Sequence, residues 1–224
     1  MKHLPNALTC CNLVCGILGI IFLWEGDHIP AAYFVWAACL FDFFDGFAAR
    51  LLKISSPIGK ELDSLADMVS FGALPALFIY KMLAALDTIP PFLPYIAILI
   101  AVCSAIRLAI FNIDETQSDS FRGLPTPANA IFLTSLTFLH FEAFQAIFTP
   151  VGLCIITVVF SLLLVSRLEL FALKFKNFKW GENKLRFTFL LLSVLLLVIL
   201  HLAALPLIIL LYIALSLGAR VLSK

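Results

Sequence analysis

Charge is what this sequence has least of. Its 224 residues include 15 lysines and arginines and 14 aspartates and glutamates, 13% in all, where a soluble domain carries about a quarter. Hydrophobic residues make up 62%. That leaves too little polar surface to cover a water-soluble core, and the chain is too apolar to stay disordered. Paired cysteines are also missing. Cys10, Cys11, Cys15, Cys39, Cys103 and Cys154 lie in or beside apolar runs, with no C-x-x-C among them. A disulfide scaffold and a redox or metal-binding cysteine pair are thereby excluded, and small apolar filler remains. His3, His28, His140 and His201 do not cluster, so no chemistry is assigned to them. There is no internal repeat, no low-complexity segment and no alternating pattern of the kind a membrane barrel needs. Helices are required, because lipid offers the backbone no partner.

What is present is a series of long apolar runs. Spans of about 20 residues are predicted at 7–24, 30–52, 58–83, 92–113, 127–146, 149–171, 185–203 and 205–221, the last two as a hairpin broken at Pro206. The predicted fold class is all-α: a polytopic membrane helix bundle of about eight helices, one domain over 1–224. Asn6, Thr9 and Asn12 interrupt the first run and no small-residue cleavage site follows Trp24, so an uncleaved span is expected rather than a signal peptide. With eight spans both termini share a side. That side holds Lys2, Arg50, Lys53, Lys60, Arg107, Arg122, Arg167, the basic cluster of 174–186, Arg220 and Lys224; only Lys81 falls opposite. The positive-inside bias puts that side in the cytoplasm, at the plasma (inner) membrane. The stretch 174–186 interleaves basic and aromatic residues. Beside two spans, this pattern fits anionic lipid headgroups rather than nucleic acid.

Against this background stands "FDFFDGFAARLLKISSPIGKELDSLADMVSFG", residues 41–72. Asp42 and Asp45 are three apart and share a helical face with Gly46 and Ala49, flanked by Arg50. Asp63 and Asp67 are four apart and share a stripe with Gly59. The short link between the two runs makes the helices antiparallel neighbours, so the acidic stripes can face each other. Four carboxylates there cost several kcal/mol even singly, and Arg50 and Lys60 are too few to form a structural ion-pair network. The natural compensation is Mg²⁺ or Mn²⁺ with oxygen ligands, two ions where a carboxylate bridges, which suits phosphate chemistry. Gly46, Ala49 and Gly59 would let a substrate approach the backbone, or let helices pack closely. A cation transporter is the rival reading. Against it, the carboxylates gather at one face, and the opposite face offers only Glu25, Asp27, Asp87 and Glu142, which read as loop residues.

The spacing Asp42-x-x-Asp45-Gly46-x-x-Ala49-Arg50, eight residues, then Gly59-x-x-x-Asp63-x-x-x-Asp67 resembles the D-x-x-D-G-x-x-A-R-x8-G-x-x-x-D-x-x-x-D motif of the CDP-alcohol phosphatidyltransferases. The resemblance covers roughly 5–135. It implies a six-helix core and a reaction in which an alcohol hydroxyl attacks the lipid-side phosphorus of a CDP-linked lipid, releasing CMP. It also implies metal binding by Asp42, Asp45, Asp63 and Asp67, with Asp67 doubling as general base. Gly46, Ala49, Arg50 and Gly59 would cradle the CDP moiety. The opening "PNALTCCN" resembles the family's P-N-x-x-T-x-x-N, so Asn6 and Thr9 would meet the nucleotide or cap the first helix. The family is often dimeric, and a homodimer is expected.

Two further stretches, "MVSFGALPA" after Asp67 and "FRGLPTPANA" at 121–130, resemble the phosphatidylserine synthase branch of that family. "RLAIFN" at 107–112 is similar to the branch's R-L-A-R-F-N, with Ile110 in place of an arginine. CDP-diacylglycerol and L-serine are the substrates this implies. A serine carboxylate calls for a cation, and Arg107 and Arg122 are the candidates. The nearest alternative, phosphatidylglycerophosphate synthesis, would need more basic residues for its acceptor phosphate.

Overall fold

The structure is a computed structural model that describes residues 3–54, 56–86, 89–113, 120–139, 142–171 and 180–222. Helix α1 (Leu4–Glu25) carries a proline in its first turn, where a missing N–H is harmless, and ends at Gly26 in the left-handed region, φ 99°. A two-residue link leads into α2 (His28–Leu52), and the two helices pack along one another. Lys53, also left-handed at φ 53°, ends α2. Ser56 then caps α3 (Pro57–Asp67), its Oγ accepting from the Gly59 N–H at 3.0 Å.

α3 does not stop at Asp67. It passes through a π-helical turn, Met68–Ala73, into α4 (Leu74–Ala84). Pro75 cannot donate to the carbonyl four residues back, and a widened turn is one way a helix absorbs that loss. The turn is clamped against α1: a Cβ on Gly16 would lie 2.3 Å from Ser70 Oγ. Only glycine permits this approach.

The remaining helices are α5 (Ile98–Ile113), α6 (Thr126–Ser135), α7 (Pro150–Val165), α8 (Trp180–Leu200) and α9 (Ala204–Leu222). Strand β1 (Ser120–Arg122) pairs antiparallel with β2 (Glu169–Phe171), Arg122 opposite Glu169. One apolar cluster joins α1, α2, the π turn and α4 around Val35, Phe71 and Phe78. A larger one joins α4 to α9 around Ile100, Leu133, Leu153 and Tyr212.

Each expected span has a helical counterpart. Leu4–Glu25, His28–Leu52, Pro57–Ala84, Leu93–Ile113 and Asn183–Ala219 are long and apolar enough to cross a membrane, the last containing both α8 and α9. Three boundaries are corrected. The expected span 127–146 is α6, ten residues long, followed by a short 3-10 turn. Ten residues rise about 15 Å, half of a bilayer core. α6 is largely enclosed, with Asn129, Ala130 and Leu133 fully buried, as is Leu136 in the turn that follows, and irregular backbone is tolerated at membrane depth where protein surrounds it. The span 149–171 ends as a helix at Val165 and becomes β2. The last hairpin breaks at His201–Ala203, where His201 takes φ 51°, and Pro206 sits in the first turn of α9. The expected lipid-facing loop 174–186 lies outside the described residues up to position 179.

Outward faces are apolar. Leu40, Phe43 and Leu51 on α2 are 60%, 59% and 69% exposed, while Asp45 on the same helix is 4% exposed. The helix thus turns its oil to lipid and its carboxylates into the bundle.

Candidate active site

The acidic stripes of α2 and α3 face each other. One carboxylate oxygen from each of Asp42, Asp63 and Asp67 lies within 4.8 Å of the other two. At an effective dielectric of about 20, two unit charges at that distance repel by roughly 3–4 kcal/mol. Three such pairs approach the whole stability of a typical fold, about 5–15 kcal/mol. The trio therefore needs protons or a cation. Asp63 Oδ1 is buried with no hydrogen-bond partner. An all-oxygen set with an uncommitted buried oxygen fits a hard divalent ion.

Asp45, one turn along α2, is not part of the trio. Its Oδ2 accepts from Thr9 Oγ1 at 2.6 Å. That hydroxyl also lies 3.0 Å from the Pro5 carbonyl, but it has one proton, and the carboxylate is the stronger acceptor. Asp67 is held from the same helix α1, where Asn12 Nδ2 donates to Asp67 Oδ1 at 2.9 Å. Asn12 is fully buried, and its Oδ1 has no partner. A buried amide oxygen left so costs about 1–3 kcal/mol.

Beside the trio opens a pocket of about 270 Å³, lined by Asn6, Thr9, Asp45, Gly46, Ala49, Gly59, Lys60 and Asp63 among others. Seven of these, all but Lys60, are sequence-predicted site residues, and they come from three separate segments. A Cβ on Gly46 would meet nothing within 4 Å, so this glycine keeps space open rather than allowing helix contact. A Cβ on Gly59 would sit 3.0 Å from Ser56 Oγ and 3.1 Å from Asn6 Oδ1, so here close packing is the reason. Lys60 Nζ donates to the Asn112 carbonyl at 2.5 Å, and Asn112 Nδ2 to Ser64 Oγ at 2.8 Å, which ties α3 to the end of α5.

The predicted cations fare differently. Arg107 on α5 is 8% exposed, and its Nε has no partner. It interacts electrostatically with Asp67. Arg50 is exposed and does not line the pocket. Arg122 contributes its backbone to β1, while its side chain lies outside the described residues. Sequence reasoning passed over Asn12 and Asn112 as site residues. The signal for each was a polar residue inside an apolar run, closing a stretch already singled out, "PNALTCCN" and "RLAIFN".

Comparison with known proteins bears on the family of the chain. The family model for CDP-alcohol phosphatidyltransferase matches residues 2–162. A CDP-diacylglycerol–serine O-phosphatidyltransferase of Bacillus subtilis is 35% identical over 179 residues, covering 80% of this chain and 93% of that protein. One from Mycobacterium leprae is 35% identical over 76% of this chain, which spans 58% of that longer protein. An archaetidylserine synthase of Methanothermobacter thermautotrophicus is 33% identical over 74% of this chain and 68% of its own length.

Proposed function

The chain belongs to the CDP-alcohol phosphatidyltransferase family, and from that premise we propose that it transfers the phosphatidyl group of CDP-diacylglycerol to the hydroxyl of L-serine, releasing CMP. The observation that carries this reading is the acidic trio with a buried Arg107, its Nε without a hydrogen-bond partner, within electrostatic reach of Asp67. The trio answers the charge of a diphosphate. Arg107 answers the carboxylate that distinguishes serine from other small alcohols. The names of the bacterial relatives support the same substrates.

In this reading the pocket beside Gly46 and Gly59 takes the CDP moiety, with Asn6, Thr9 and Ala49 lining it; Arg50, exposed outside that lining, has no contact assigned to it there. The serine oxygen bonds to the phosphorus nearer the lipid as the bond from that phosphorus to the CMP oxygen breaks. The hydroxyl proton passes to an Asp67 oxygen, because a hydroxyl cannot lose it unaided near neutrality. Asp42, Asp45, Asp63 and Asp67 would hold Mg²⁺ or Mn²⁺, two ions in our reading, whose contribution when bound is to neutralise the diphosphate and the leaving group. The reaction runs at the cytoplasmic face of the plasma membrane. Arg50, Lys53 and Lys60 at that end of α2 and α3, and Lys81 at the far end of α4, support this orientation.

The test is an acceptor screen. Purified protein with CDP-diacylglycerol and Mn²⁺ should release CMP with L-serine and much less with glycerol 3-phosphate. The reverse preference would overturn serine as acceptor and leave the transferase in place.

A further inference from the structure

Asn12 is a buried polar residue at the acidic trio that the transfer reaction proposed above does not use. It is 0% exposed and sits on α1, a helix that supplies none of the aspartates. Both ends of the residue are engaged. Its side-chain nitrogen donates to Asp67 Oδ1 at 2.9 Å, and its backbone carbonyl accepts from Ser70 Oγ at 3.0 Å. The Gly16 contact with Ser70, one turn further along α1, holds the two helices at this spacing. With Asp67 ionised, as a metal ligand is, the amide orientation follows from chemistry: only its nitrogen can donate to a carboxylate. That leaves Oδ1 on the other arm of the same amide, buried and without a partner. A hydrogen bond that is missing in a buried, rigidly held group points to something that arrives with the ligand.

We propose that Asn12 is a positioning residue of the metal centre. Its nitrogen ties one oxygen of Asp67 and leaves the other for the trio, and its free Oδ1 accepts from a water bound to the ion held there. The inference rests on reading the trio as a metal site, and not on serine as the acceptor. Partners of this kind, one step removed from the ion, typically change metal affinity 10–100-fold when lost, as a rough range.

The experiment reads metal binding without turnover. Detergent-purified protein is titrated with Mn²⁺ and free ion is followed by electron paramagnetic resonance, for wild type, Asn12→Leu and Ser70→Ala. Thermal unfolding without metal checks that each variant is folded. Asn12→Leu should raise the Mn²⁺ Kd by about 10–100-fold, while Ser70→Ala, which removes only the backbone tether, should stay within about threefold of wild type. A folded Asn12→Leu that binds Mn²⁺ as wild type does would overturn the proposal. If that variant does not fold, the Mn²⁺-bound wild-type structure decides: an ion-bound water within about 3.2 Å of Asn12 Oδ1 supports the proposal, and its absence there overturns it. Failure of the wild type itself to bind Mn²⁺ would overturn this inference together with the metal reading of the trio, so the two failures are distinguishable.

Discussion

Two cavities open against helix α2, one near each end. The first, about 270 Å³, is lined by Thr9, Asp45, Gly46, Gly59, Lys60 and Asp63. The second is larger, about 360 Å³, and is lined by His28, Met82, Leu86, Thr137, Phe148 and Leu153. Volume would favour the second. Chemistry favours the first, which has convergent carboxylates, a lysine and backbone bared by glycine, the features that recognise a charged ligand. In the second, His28 is the one titratable side chain among these residues, and it stacks edge-on against Phe78 with ring centroids 5.4 Å apart. The same helix thus makes a reaction site at one end and an apolar recess at the other. The difference lies in which few residues interrupt the hydrophobic run.

The comparison breaks most visibly at the carboxylates. Chelation with EDTA should abolish serine-dependent CMP release, and Mg²⁺ or Mn²⁺ should restore it. Asp67→Asn, which keeps shape and removes the base, should lower release by about 10²-fold or more. Full activity in a metal-free preparation would remove the special standing of the first cavity.

Arg107→Gln should act more narrowly. It removes the buried cation beside Asp67, so the KM for serine should rise on the order of 10²-fold, with the KM for CDP-diacylglycerol little changed. A rise in both would move Arg107 from the acceptor to the donor lipid.

The smallest effects sharpen the contrast between cavities. A Cβ at Gly46 would meet nothing within 4 Å, so Gly46→Leu enters the pocket from its open side; the protein should fold and lose about tenfold in turnover through misplaced substrate. Thr137→Val in the second cavity should leave turnover within about twofold. Steady-state CMP assays on the two variants check both, and a matching loss in Thr137→Val would give the second cavity a part in the reaction.

Much of this was legible without coordinates. The apolar runs announced the helices, because a backbone in lipid has no other economical partner. The three- and four-residue spacings of the aspartates put them on shared faces. What failed to show was where apolar character stops specifying a span. The run 127–146 reads as one helix, yet α6 is ten residues long and enclosed by its neighbours. Hydropathy measures transfer into an apolar medium, and a protein interior and a bilayer look alike to it.

The site divides the same way. Periodicity alone determined that the four aspartates line one stripe on each of two helices, since that is a property of a single helix and its pitch. Only the tertiary structure decided that Asp42, Asp63 and Asp67 converge while Asp45 turns to Thr9. It also decided that Asn12 reaches Asp67 and that Arg107 is buried while Arg50 is exposed. Those outcomes depend on how closely α1 crosses the π turn and how α5 leans on α3. Distances between helices are set by packing across residues far apart in the chain, and no local spacing encodes them.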